Sequence, residues 1–146
     1  MTANVLNRIE QPGSGNDNKY IFGGSVETAT GQSLKEVYLT VDMTNISSAA
    51  VVYLPSPVAG TITKITTIIN GAIATANAIL TGRIGSTAIT SGAVTIPFSG
   101  SAAGQVNSTT PTALNTVVAG NNINFTANNA STNTVRATIV VQITLS

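Results

Sequence analysis

Residues Val135 to Leu145 alternate without interruption: Val135, Ala137, Ile139, Val141, Ile143 and Leu145 point one way, and Arg136, Thr138, Val140, Gln142 and Thr144 the other. A period of two over so many positions predicts a β-strand with one buried face. A terminal strand this long and apolar is expected in the middle of a sheet, because on an edge it would template aggregation. The same period runs from Ala76 to Ile84, with Ala76, Ala78, Leu80, Gly82 and Ile84 on one side and Asn77, Ile79, Thr81 and Arg83 on the other. Glu36 to Asp42 repeats it, with Val37, Leu39 and Val41 inward.

Between these lies Val51 to Gly85, the stretch around which the chain is organised. Val51 to Leu54 is a short apolar run stopped by Pro55-Ser56-Pro57, where proline lacks the N–H that a sheet ladder needs. Thr61 to Ile69 is dense in β-branched residues, which suit a pleated surface. Asn70-Gly71 is a strong turn signal. The reading is therefore strand, proline turn, strand, small-residue turn, strand. Further on, a turn is expected at Gly85-Ser86 and another at Ser91-Gly92. Val94, Ile96 and Phe98 are expected to share a face, with Pro97 marking a strand end. A short strand is expected near Gln105-Val106, and others at Asn115 to Gly120 and around Ile123 and Phe125. The tally is about eight strands, spaced as in an all-β sandwich or barrel. No fixed-period repeat argues for a propeller or a β-helix.

Residues 1–33 break the pattern. Val5-Leu6, Ile9 and Tyr20-Ile21-Phe22 are apolar islands among Gly, Pro, Asn and Asp. Structureless loops of this length are uncommon inside compact domains, so 1–33 is read as an extended N-terminal arm and 34–146 as the β-sandwich body. Gly13-Ser14-Gly15-Asn16-Asp17 resembles one calcium-binding nonapeptide, but a single copy with Lys19 at the apolar position reads better as a turn.

Composition sharpens this picture. The chain is 42% hydrophobic and only 8% charged, with a net charge of +1. An average domain carries roughly 25% charged residues. The polar surface must therefore be built of Thr, Ser, Asn and Gly, which favours life in an assembly, where burying charge would cost stability. All five acidic residues lie at or before Asp42, while Lys64, Arg83 and Arg136 follow it. No N-terminal secretory pattern and no run of roughly 18 apolar residues is found. Synthesis in a cytoplasm and no membrane span are expected.

The chain has no His and no Cys, which removes imidazole and thiolate nucleophile systems and the usual zinc ligands. Glu36 and Asp42 share a strand face, but six residues at about 3.3 Å each hold them near 20 Å apart, beyond the reach of a glycosidase pair. No enzyme and no cofactor are expected. Lys64, Arg83 and Arg136 are isolated, so no nucleic-acid site is expected. Tyr38, Tyr53, Phe98 and Phe125 read as core or interface. Asn-x-Ser/Thr matches at Asn45, Asn107, Asn124 and Asn129 are no more than this composition supplies by chance.

VVYLPSPVAGTITKITTIINGAIATANAILTGRIGSTAITSGAVTI, the loop-rich FSGSAAGQVNSTTPTALNTVVAGNNINF and NASTNTVRATIVVQITL together resemble the small decoration, or cement, proteins of tailed-bacteriophage heads. The resemblance spans residues 50–146 and lies in texture and strand order. It implies a jelly-roll-like antiparallel β-sandwich, present in many copies on the capsid exterior, forming homodimers or homotrimers and bridging capsomers of the major capsid protein. On that reading the arm docks on the capsid through Val5, Leu6, Arg8, Ile9, Tyr20 and Phe22. A head- or tail-fibre receptor-binding β-module is the alternative. It would be expected to carry exposed aromatics clustered in loops.

Overall fold

The computed structural model describes residues 35–128 and 131–146, and the fold set out below is that of the unit Glu36–Ser146. Its strands are β1 (Glu36–Met43), β2 (Val51–Pro55), β3 (Gly60–Ile69), β4 (Ala78–Ile84) and β5 (Thr87–Ile96). They continue with β6 (Val106–Thr109), β7 (Thr116–Val117), β8 (Asn122–Ala127) and β9 (Ala137–Leu145). One sheet has the order β1-β9-β3-β6, with β7 also beside β3, and the other has the order β2-β8-β4-β5. Every pairing is antiparallel. With the two-residue β7 set aside, the first strand pairs with the last, the second with the one before it, β3 with β6, and β4 with β5. That is one long hairpin rolled on itself, the winding of a jelly roll. The expected all-β sandwich is what the chain forms, with nine strands among the described residues where about eight were expected.

The buried faces follow the alternation. Ala137, Ile139, Val141 and Ile143 are fully buried, and β9 lies between β1 and β3 as its length requires. Ile62, Ile65 and Ile69 from β3 and Leu80 from β4 meet Ile96, Ile123 and Phe125 between the sheets. Each such side chain contributes roughly 1.5–3 kcal/mol through removal from water. Val37, Leu39 and Val41 face inward from β1 and are half-buried.

Two expectations need correction, and two others take a more specific form. The turn expected at Asn70-Gly71 is a bend that does not return the chain to its own sheet. β3 and β4 lie in different sheets, and Asn70 opens a crossover pinned to the start of β9 by Asn70 N–H to Arg136 O (3.0 Å) and Arg136 N–H to Asn70 Oδ1 (2.8 Å). Ser91-Gly92 does not end a strand either. β5 runs through it, and the β4 register jumps from Thr81↔Ala93 to Arg83↔Ala88, so Ile89–Gly92 bulges out with Ser91 at φ +57°. Phe98 does not join Val94 and Ile96 in the core. β5 stops at Ile96 before Pro97, and Phe98 is exposed. Of the four aromatics read as core or interface, only Phe125 is core; Tyr38 and Tyr53 point outward from edge strands. The Gly85-Ser86 turn is as expected: a two-residue hairpin loop with its glycine at φ +59°, a conformation glycine adopts without steric cost.

The bulge has a structural consequence. Thr90 leaves the ladder to exchange backbone hydrogen bonds with the segment after β6, Thr90 N–H to Ala113 O (2.9 Å) and Thr112 N–H to Thr90 O (3.0 Å). The β5/β6 side of the sandwich is thereby stitched from one sheet to the other.

Candidate interaction surface

The register stacks the outward side chains of the β1-β9-β3-β6 sheet into rows. Tyr38, Gln142 and Lys64 form one row, Thr40, Val140, Thr66 and Ser108 the next, and Asp42, Thr138, Ile68 and Val106 the third. The formal charges sit at row ends: Lys64 on β3, and Asp42 on β1. The interior of the face is Thr, Ser, Val, Ile and Gln. Ile68 is 42% exposed and Val106, directly opposite, 59%. Hydroxyls and aliphatic groups of this kind lose far less on leaving water than charges do, so the face is suited to being covered. The adjacent Ile68-Ile69 pair was the available signal. In a strand with one buried face, one of two neighbouring isoleucines must point outward.

The charges on the margin are weakly engaged. Asp42 accepts a hydrogen bond from the Thr138 hydroxyl and lies 4.0 Å from Arg136, with both charged side chains about half in solvent. Tyr38 donates its hydroxyl to Glu36 (2.9 Å), and that hydrogen bond, with slight desolvation and the carboxylate charge, raises the phenol above its ordinary value of 10.0.

The outer face of the second sheet carries a different row. Tyr53 on β2 lies opposite Asn124 on β8, which lies opposite Arg83 on β4. Tyr53 is 62% exposed, while Asn124 is buried and holds the Gly85 carbonyl through Nδ2 at 2.7 Å. An aromatic ring, an amide and a guanidinium along one line make a small polar platform. Three separate strands supply it, so no contiguous motif announces it.

At the end of the sandwich where β4 turns into β5, an open recess is lined by Ile84, Thr87, Leu114 and Thr116. Leu114 is exposed and held at φ +53°. Loops elsewhere are tied by asparagine amides: Asn115 Nδ2 to Ile62 O (2.8 Å), Asn133 Nδ2 to Ala72 O (3.0 Å) and Asn128 Nδ2 to Asn77 O (3.2 Å). Among the described residues no three His, Cys, Asp or Glu side chains come together as a metal-binding group. The proposed contact residues Val5, Leu6, Arg8, Ile9, Tyr20 and Phe22 lie outside the described residues.

No family model and no curated protein matches this chain. Its fold is similar to a chain of the cyanophage Pam1 capsid asymmetric unit, at 14% identity and TM-score 0.49, over 77% of this chain and 84% of that one. It is also similar to a chain of the acid-stable capsid of Helicobacter pylori bacteriophage KHP30, at 17% identity and TM-score 0.49, over 77% and 89%. A third similar fold is CsCBM6-3 from Clostridium stercorarium, solved with cellobiose, at 13% identity and TM-score 0.45, over 84% and 82%.

Proposed function

We propose that this protein is a non-enzymatic virion component that decorates the outside of a tailed-phage capsid and stabilises it by bridging capsomers. The observation that carries the reading is the outer face of the β1-β9-β3-β6 sheet, whose interior is uncharged and whose Ile68–Val106 corner is apolar and open to solvent. Such a face is ready to be covered by protein at little desolvation cost. The texture and strand order of residues 50–146 direct the reading to phage decoration proteins. The major capsid protein is the partner, and residues 1–33, with Val5, Leu6, Arg8, Ile9, Tyr20 and Phe22, add a second attachment. Many weak copies then hold together through multivalency.

The test is the copy number in purified particles, measured against the major capsid protein on a quantitative gel. A number comparable to the shell subunit supports decoration. A number far below it, as for a fibre at a few vertices, overturns it.

The Tyr53–Asn124–Arg83 row favours a second reading, a fibre module that holds a host glycan, since an exposed ring on the same row as a guanidinium donor suits a sugar. Glycan-array binding that is lost in Tyr53→Ala selects it. Absence of any glycan binding removes it.

A further inference from the structure

The edges of the two sheets are treated unequally. On one side, β5 is bulged at Ile89–Gly92 and hydrogen-bonded across to Thr112 and Ala113. Its neighbour across the sandwich, β6, is four residues long. On the other side, β2 is five residues long and ends in Pro55. Short strands, bulges, proline and cover are the devices that keep sheet edges from pairing with other chains. Among the described residues β1 has none of these, and the charges it carries, Glu36 and Asp42, stand near its two ends on the outward face. It pairs with β9 from Glu36 to Met43 without a register shift and contains neither Pro nor Gly. Among the described residues, none outside β9 makes a backbone hydrogen bond to it.

We infer that β1 is a self-association edge, on which a second copy of this chain adds its own β1 antiparallel, related by a two-fold axis. This goes beyond the proposed function and gives a site to the homodimer that the resemblance implies. Two constraints select the register. Side chains directly opposite each other must lie on the same sheet face, so an outward residue meets an outward residue. A pairing centred on Leu39 sets Glu36 against Asp42 twice, which is repulsive. A pairing centred on Tyr38 joins only Glu36 through Thr40. A pairing centred on Thr40 joins Val37 through Met43 and opposes no like charges. It sets Thr40 against Thr40, Leu39 against Val41, and Tyr38 against Asp42. The half-buried Val37, Leu39 and Val41 then gain cover on the inner face, and the two outer faces become one continuous surface with Glu36 and Asp42 of each copy along the seam.

An edge pairing of this length covers less than the roughly 1,200 Å² of a stable standard interface. The dimer is therefore expected to form in the micromolar range and to be reinforced where copies are held side by side. The experiment uses the full chain alone, without shells, so its failure leaves capsid binding untouched. Analytical ultracentrifugation across a concentration series should show a monomer–dimer equilibrium. Hydrogen exchange should show protection of alternate β1 amides that rises with concentration. Thr40→Lys places two ammonium groups against each other at the axis and should weaken the dimer about tenfold or more. Thr66→Lys, two strands from the edge on the same face, should leave it unchanged, and both variants should melt like the parent. A monomer at every concentration overturns the inference. So does a dimer indifferent to Thr40→Lys, and so does β1 protection independent of concentration, which means the edge is covered within one chain.

Discussion

Gly92 lies against Ile89 so closely that a Cβ built on the glycine would stand 2.6 Å from the Ile89 Cβ. The contact closes the bulge that sends Thr90 out to Ala113, so it underlies the stitching of the two sheets. Gly92→Ala cannot be relieved by a flexible side-chain tip, because Ile89 Cβ and the Ile89 carbonyl both stand in the way. The expected cost is about 1–3 kcal/mol, read as a lower denaturant midpoint. Gly85→Ala is the contrast. Nothing lies within 4 Å of its added Cβ, and the strain is that of φ +59° alone. Its cost should be about 1 kcal/mol, and the two losses should add, since they have separate causes.

Phe125 is the largest fully buried side chain among the described residues and lies between the sheets on β8. Phe125→Leu should cost about 1–2 kcal/mol and Phe125→Ala about 3–5 kcal/mol. The second is a large share of the 5–15 kcal/mol that holds a domain folded. Chemical denaturation of both variants checks the order. Equal losses would show that the cavity collapses.

These sites show what could be read from sequence and what could not. The β9 alternation placed its strand and its buried face correctly, because a central strand with one dry face imposes its period directly. Ser91-Gly92 carries the composition of a turn, yet it bulges, because Thr109 and Thr112 donate hydrogen bonds to the Ser91 and Thr90 carbonyls and Ala113 O accepts one from Thr90 N–H. Asn70-Gly71 has the same signal as a hairpin. Here the chain crosses to the other sheet instead, and Asn70 is held by the backbone of Arg136, more than sixty positions away. Ile46 lies in a polar loop and is nonetheless fully buried. The outer-face rows join strands distant in sequence, so the alternation revealed which side chains face out but not which of them stand together.

Ile68 and Val106 supply the apolar corner of the proposed covered face. Ile68→Asp should leave stability within about 0.5 kcal/mol, as surface changes do. It should weaken attachment to purified shells, since a carboxylate would have to be desolvated there. Cosedimentation with shells, beside a thermal melt of the free protein, separates the two effects. Unchanged cosedimentation would place the shell contact elsewhere.

Tyr38 should titrate above its ordinary value of 10.0 while Glu36 accepts its hydroxyl. A phenol whose folded pKa is raised contributes stability below the unfolded value, and that contribution is lost as pH rises through the folded one. Stability should therefore decline on the alkaline side, beginning above pH 10.0. The group is fully exposed, so the effect belongs in the titration more than in the melt. The phenolate absorbance difference between the parent and Tyr38→Phe isolates this group. In Glu36→Gln the same difference curve should shift to lower pH, because the carboxylate charge and the strongest acceptor go together.

Asn115 shows how a chain poor in charge fastens its loops. Its Nδ2 donates to Ile62 O at 2.8 Å and its own carbonyl accepts from Ile62 N–H at 2.8 Å, clamping β3 where its register shifts between Ile62 and Lys64. Asn115→Ala leaves the Ile62 carbonyl without this donor, at a cost of about 1–3 kcal/mol. Asn115→Asp is the sharper variant. The shape is kept, but at neutral pH a carboxylate faces a carbonyl oxygen, and two acceptors repel. Protonating that carboxyl restores a donor, so its folded pKa lies above the unfolded one. Stability tied to such a group is present below the unfolded value and disappears as pH rises through the folded value. Asn115→Asp should therefore lie closest to the parent in acid and fall furthest below it at neutral pH, while Asn115→Ala shows a constant deficit. Denaturant midpoints of the three proteins across that range decide it. Parallel curves for Asp and Ala would mean that the side chain acts through packing, and that the Ile62 carbonyl finds another donor.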